Sequence, residues 1–87
     1  MWEEKDNALH TSLKFKNFRE AFAFMTEVAI ECEKLNHHPR WTNVWDTIDI
    51  ELNTHSVGNI VTELDHKLAK KIESIFSKYK LKLAKDV

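Results

Sequence analysis

The chain has 87 residues, of which 43% are apolar and 31% charged, and its formal net charge is −1. This mixture is typical of a globular protein, and the length predicts a single domain over residues 1–87. The near-neutral charge disfavours nucleic acid as the main partner, because phosphate binding requires a basic surface.

Two features of the sequence indicate the cellular compartment: a single cysteine and the lack of a long apolar segment. Cys32 cannot form an internal disulfide, which suits a reducing environment. No apolar run reaches the roughly 20 residues that a membrane span requires. We therefore expect a cytoplasmic protein with no membrane partner.

The first half of the chain predicts one strand followed by one helix. Residues 8–15 alternate apolar and polar side chains, as in a half-buried strand. Asn17 and Glu20 have the spacing of a capping box, and apolar residues then recur at helical spacing through Leu35. Pro39 prevents the helix from continuing. The predicted apolar face of this helix comprises Phe18, Ala21, Phe22, Met25, Val28, Ala29, Cys32 and Leu35.

Residues 41–54 return to a period of two and predict two strands joined by a tight turn near Asp46–Thr47. In the second strand, one side is apolar and the other polar. The side expected to face the core comprises Ile48, Ile50, Leu52 and Thr54.

The last third of the chain predicts a loop and a second helix. Gly58 lies in the loop at residues 56–61, and Thr62 with Asp65 resembles a second helix cap. We expect the helix to run to about Tyr79 and a frayed or extended tail to follow from about residue 80. Its predicted apolar positions are Leu64, Leu68, Ile72, Ile75, Phe76 and Tyr79.

The element order is therefore strand, helix, strand, strand, helix. This order predicts an α+β fold in which an antiparallel β-sheet carries both α-helices on one face.

Three histidines follow the predicted ends of elements. His37 and His38 leave the first helix just before Pro39, and His55 comes directly after the strand that ends at Thr54. If the two central strands form a hairpin, the start of the first lies beside the end of the second. The loops that carry the three histidines then meet at one edge of the sheet. Glu33 precedes His37 by four residues, a spacing that predicts that Glu33 orients His37.

Three interpretations of this histidine cluster compete. The histidines are surface or capping residues, or they bind zinc with a carboxylate, or they perform general acid–base chemistry. Adjacent histidines rarely both reach one ion, and no HxH or HxxxH spacing is present. Imidazole titrates near neutral pH, and no activated nucleophile accompanies the cluster, since Cys32 belongs to the apolar helix face. The pattern favours proton transfer in an elimination or hydration.

The ordered set of Glu33, His37-His38-Pro39, Trp45, His55 and Asp65 resembles the pterin-4a-carbinolamine dehydratases over roughly residues 2–76. The resemblance implies removal of water from a 4a-hydroxytetrahydropterin to give a quinonoid dihydropterin, in tetrahydrobiopterin recycling. It implies neither a metal nor an organic cofactor. The catalytic residues that it implies are His37, His38 and His55. The substrate contacts that it implies are Trp2, Glu33, Asn36, Pro39, Asn53, Thr54, Ser56 and Asp65.

The resemblance also carries expectations about roles and partners. We hypothesise that His38 and His55 share the proton transfers, while His37, held by Glu33, positions the substrate. Arg40 stands where an acidic residue is common in the family, which implies a more positive rim. Relatives form dimers and dimers of dimers, so we expect a homodimer or homotetramer. The alternative function is a protein-binding module that helps a transcription factor to dimerise.

Overall fold

Four strands form one antiparallel sheet, and two long helices pack on one of its faces. The computed structural model describes residues 1–86, and it describes side chains as far as Lys80. The elements in chain order are β1 (Glu3–Lys5), β2 (Ala8–Lys14), α1 (Phe18–Leu35), β3 (Arg40–Val44), β4 (Thr47–Leu52), a single 3₁₀ turn (His55–Val57) and α2 (Glu63–Asp86). The predicted α+β class and the helices on one face are confirmed.

The sheet has the strand order β1-β2-β4-β3, with every neighbouring pair antiparallel. Strands β3 and β4 form the predicted hairpin, and β2 completes the centre of the sheet against β4. The prediction missed β1, because its three residues are all exposed and show no alternation. A two-residue turn at Asp6 and Asn7, both with positive φ, joins β1 to β2, as short hairpins require.

The central strands bury their predicted sides. Ile48, Ile50 and Leu52 are at most 2% exposed and pack against Leu9 and Leu13 across the sheet. Pairing of Val44 with Thr47 leaves Trp45 and Asp46 as the hairpin turn, one residue earlier than predicted.

Helix α1 begins as predicted, and its buried stripe overlaps the predicted face but is shifted from it. The side chain of Asn17 accepts a hydrogen bond from the backbone N–H of Glu20 at 2.9 Å. Phe24 is fully buried, whereas Phe18, Phe22 and Ala29, which were predicted to face the core, are exposed. The buried stripe is Ala21, Phe24, Val28 and Cys32. The prediction failed because α1 carries apolar residues on two faces, and only packing selects between them.

Helix α2 packs against α1, and the predicted residues Leu68, Ile72, Ile75 and Tyr79 are buried in the core, but Leu64 is exposed. The backbone is helical through Asp86, where we expected a frayed or extended tail from about residue 80. The side chains of residues 81–86 and all of Val87 lie outside the described part, so fraying there stays a prediction. Within residues 1–86, neither helix is both long and apolar enough to cross a bilayer.

Candidate active site

The end of α1 leaves His37 buried and His38 exposed. Asn36 adopts a left-handed conformation with φ 50°, and its N–H bonds to the carbonyls of Cys32 and Glu33. The N–H of His37 reaches back to the carbonyl of Cys32 at 3.0 Å. This left-handed cap ends the helix and turns the chain. The side chain of His37 is consequently 10% exposed, whereas that of His38 is 56% exposed.

His37 is held by a buried carboxylate at the start of α2. Its Nε2 lies 2.5 Å from Oδ1 of Asp65, which is fully buried. The other oxygen of Asp65 accepts hydrogen bonds from the hydroxyl of Thr54 and the N–H of Thr62, both at 2.8 Å. The hydrogen bond from the N–H of Thr62 is the predicted helix cap. The carboxylate of Asp65 therefore both caps the start of α2 and orients the imidazole of His37.

The ionisation of Asp65 reflects a balance between burial and hydrogen bonds. Burial alone would raise the pKa of this carboxyl group. The hydrogen bonds from His37, Thr62 and Thr54 outweigh burial and hold the pKa below its ordinary value. Asp65 is therefore a carboxylate at neutral pH, and Nε2 of His37 donates to it. In the neutral ring, the lone pair is then on Nδ1.

The prediction that Glu33 orients His37 is wrong. Oε2 of Glu33 instead accepts a hydrogen bond from Nε2 of His38 at 2.8 Å. The i,i+4 geometry requires helical backbone up to His37, but α1 ends at Leu35 and the cap redirects the chain. Glu33 and His38 are both exposed, so their pairing is accessible to solvent.

All three predicted catalytic histidines line one open cleft with a volume of about 540 Å³. The other lining residues are Asn36, Pro39, Arg40, Thr54, Ser56 and Leu64. A second, smaller cleft of about 300 Å³ shares His38, Arg40 and His55 with the first. Its remaining walls are Glu51, Asn53 and Asn59. We call the two clefts the histidine lobe and the polar lobe.

The predicted substrate contacts fall into three groups. Asn36, Pro39, Thr54 and Ser56 line the histidine lobe, and Asn53 lines the polar lobe. Glu33 and Asp65 line neither lobe, and each is hydrogen-bonded to a histidine that lines the histidine lobe. Trp2 lines neither lobe and packs against the core.

Sequence reasoning missed Glu51, Asn59 and Leu64 as lining residues. The sequence places Glu51 only on the polar side of its strand, and the helical spacing predicts Leu64 only as a core residue. Asn59 has a positive φ of 60° after Gly58, in a loop whose path the sequence did not predict.

The histidine lobe presents three imidazoles, and the only cysteine of the chain lies outside it. Cys32 is 1% exposed, and burial raises the pKa of its thiol to about 11, so it carries no thiolate at neutral pH. Within the described residues, no three His, Cys, Asp or Glu side chains are grouped so that they could hold a metal ion. The fold and the cleft together define a small α+β protein with a histidine-lined polar site.

Comparisons with known proteins identify the family. A family model described as pterin 4 alpha carbinolamine dehydratase matches residues 1–75. A protein of Chelativorans sp. (strain BNC1), named "putative pterin-4-alpha-carbinolamine dehydratase", is 53% identical over 79 residues, covering 88% of this chain and 80% of that protein. A protein of Prochlorococcus marinus (strain MIT 9215) with the same name is 53% identical over 75 residues, covering 86% and 77%. This chain belongs to the pterin 4 alpha carbinolamine dehydratase family.

Two solved structures resemble the fold. The crystal structure of a transcriptional coactivator/pterin dehydratase from Brucella melitensis has a TM-score of 0.81 at 47% identity, covering 85% of this chain and 80% of that one. A pterin dehydratase-like protein, described as a RuBisCO assembly factor in the alpha-carboxysome, has a TM-score of 0.69 at 18% identity, covering 86% of each chain. The second likeness concerns the fold alone.

Proposed function

We propose that this protein dehydrates a 4a-hydroxytetrahydropterin to a quinonoid dihydropterin and water, as a hydro-lyase in tetrahydrobiopterin recycling. One observation carries the proposal. In a member of this family, three imidazoles line one cleft, and two of them are hydrogen-bonded to carboxylates. Such a set can donate one proton and accept another at neutral pH without an added cofactor.

The reaction breaks the bond between C4a and its hydroxyl oxygen and removes one ring N–H proton. The oxygen leaves as water once it accepts a proton, so the site must supply one acid and one base. The carboxylate of Glu33 accepts a hydrogen bond from Nε2 of His38 and orients this ring, and we assign the role of acid to His38. The side chain of His55 has no hydrogen-bond partner among the described residues, and we assign the role of base to it.

The proposed task of His37 is positioning rather than proton transfer. Its bond to the buried Asp65 fixes the ring orientation and leaves Nδ1 for the substrate. A fixed imidazole can hold the pterin with its C4a hydroxyl toward the two exposed histidines.

The dehydration assay on purified variants tests this proposal. We expect His38→Ala and His55→Ala each to lower the catalysed rate by about 10²- to 10⁴-fold, the usual contribution of an acid or base. The decay of 4a-hydroxypterin absorbance measures the rate. His66→Ala is the matched control, because His66 is exposed on α2 and lines neither lobe. If both cleft variants kept wild-type rates, the assignment would fail.

The remaining expectations about partners are part of the same proposal. We propose a cytoplasmic homodimer or homotetramer that takes a small-molecule pterin. The same dehydration assay tests the alternative function, a protein-binding module, because an inactive protein with an intact fold would favour it. The protein-binding function is supported by the description of the Brucella melitensis structure as a transcriptional coactivator.

A further inference from the structure

The side chains of Arg40 and Glu51 are a pair of opposite charge that lines the polar lobe. Arg40 of β3 and Glu51 of β4 are cross-strand partners, and both line the polar lobe. Arg40 also lines the histidine lobe. Neither side chain makes an ion pair with the other or with any other side chain up to residue 80. Both are therefore free to bind a ligand.

The outer edge of a pterin offers a matching pattern. A 2-amino-4-oxo-pyrimidine presents one acceptor, the 4-oxo oxygen, beside two donors, the N3–H and the 2-amino group. A carboxylate accepts from two adjacent N–H groups, and a guanidinium donates to an oxygen. We propose that Glu51 and Arg40 recognise this edge and determine specificity for 2-amino-4-oxo-pteridines, an inference that rests on the proposed dehydratase function.

The lobes support this orientation of the ring. The polar lobe has amide side chains from Asn53 and Asn59 and no apolar lining residue, whereas Pro39 and Leu64 line the histidine lobe. The reacting carbon C4a is bonded to C4, the carbon that carries the 4-oxo oxygen. A pterin with that oxygen at Arg40 therefore has C4a beside His38 and His55, which both lobes share.

Other groups near Glu51 are already engaged. His10 is its partner on β2, but Nε2 of His10 is 3.2 Å from the carbonyl of Lys5. Asp49 projects from the same side of β4 and accepts a hydrogen bond from Ser12. Asp49 lies in a separate cleft on the outer sheet face, which Arg40 and Glu51 also border, and it does not line the polar lobe. Asp49 is therefore a matched control for the charge of Glu51.

Equilibrium binding of two stable probes tests the inference. The probes are a 7,8-dihydropterin and its 2-deamino analogue, titrated into wild-type protein, Glu51→Gln and Asp49→Asn. We expect wild type to bind the 2-amino probe about tenfold more tightly than the analogue, because the analogue keeps the N3–H but leaves one oxygen of the Glu51 carboxylate without its donor. Glu51→Gln should bind the 2-amino probe about tenfold more weakly and lose the discrimination. Asp49→Asn should behave as wild type, and Arg40→Gln should weaken both probes.

The possible failures are distinguishable. If wild type binds and dehydrates pterins while Glu51→Gln keeps the full discrimination, the inference is overturned and the proposed function stands. An equal loss in Asp49→Asn would also overturn it, since the effect would then come from general negative charge. If wild type binds neither probe and has no dehydratase activity, the proposed function fails and the inference with it.

Discussion

At the scale of single residues, the carboxylate of Asp65 connects stability with the site. It accepts hydrogen bonds from His37, Thr54 and the backbone of Thr62, and it is fully buried. Removing one member of a buried charged network leaves the others without partners, which costs more than the loss of one surface contact. The residue therefore matters both to the start of α2 and to the orientation of His37.

Asp65→Asn is predicted to lower the free energy of unfolding by about 2–4 kcal/mol, because a neutral amide cannot accept from all three donors. Urea denaturation followed by circular dichroism measures the change. Glu63→Gln is the control, since Glu63 is exposed in the same helical turn and should change stability by less than about 0.5 kcal/mol. Equal stability of wild type and Asp65→Asn would contradict the network.

The same carboxylate predicts a specific dependence of stability on pH. Its pKa is lower in the folded than in the unfolded chain, so the unfolded chain binds more protons in acid. The contribution is complete above the unfolded pKa, about 4, and is lost as the pH falls through the folded pKa. Stability measured from pH 6 to pH 2 should therefore fall more steeply for wild type than for Asp65→Asn.

At the scale of elements, a hydrogen bond joins the two helices far from the cleft. The hydroxyl of Tyr79 on α2 donates to Glu27 on α1 at 2.6 Å, and Lys78 donates to the other oxygen of Glu27 at 2.9 Å. Burial, followed by the nearby Glu27 carboxylate, raises the pKa of the Tyr79 phenol well above its ordinary value. The hydrogen bond from Tyr79, followed by that from Lys78, lowers the pKa of Glu27.

Tyr79 can be followed directly, because it is the only tyrosine in the chain. We expect no phenolate absorbance in folded wild type at about pH 10, where free tyrosine is half ionised. Glu27→Gln should lower the pKa of the Tyr79 phenol. Tyr79→Phe should lower the free energy of unfolding by about 1 kcal/mol below pH 10. That contribution is lost as the pH rises above 10, because the folded pKa is the higher one. Ser77→Ala, which removes only a local bond to Ser74, is the control.

At the scale of the whole molecule, 87 residues bury a limited core, and apolar side chains remain on the surface. On α1, Phe18 and Phe22 are 48% and 55% exposed, and their ring centroids are 5.7 Å apart. The polar face of the sheet, with Thr47, Asp49 and Glu51, has no helix packed on it in the described part of the chain. Both surfaces are compatible with self-association.

The predicted dimer or tetramer can be tested by light scattering at micromolar concentration. A mass two or four times that of the 10.3 kDa chain is expected. If the copies contact each other through the exposed face of α1, Phe22→Ser should lower the measured mass. If they contact each other through the polar face of the sheet, Asp49→Lys should lower it instead. Lys80→Gln, an exposed change that leaves apolar area unaltered, should have no effect. A monomeric wild type would contradict the prediction.

Local patterns in the sequence determined most of the secondary structure and the place of the site. The period of two in β4, the cap at Asn17 and the stop at Pro39 act between close neighbours in the chain, so they can be recognised without tertiary contacts. The hairpin of β3 and β4 followed from those patterns, and it brought the loops of His37, His38 and His55 to one edge of the sheet.

Tertiary structure alone decided which carboxylate is bonded to His37, which to His38, and which apolar residues of α1 are buried. Asp65 reaches His37 from 28 residues away, and no spacing rule connects a residue of α2 with the end of α1. Phe24 rather than Phe22 enters the core because the sheet and α2 enclose only one side of the helix. The lobe containing Glu51 likewise exists only once β3 is paired with β4 and the loop that carries Asn59 has folded beside them, since a cleft is a property of packed elements and not of a segment.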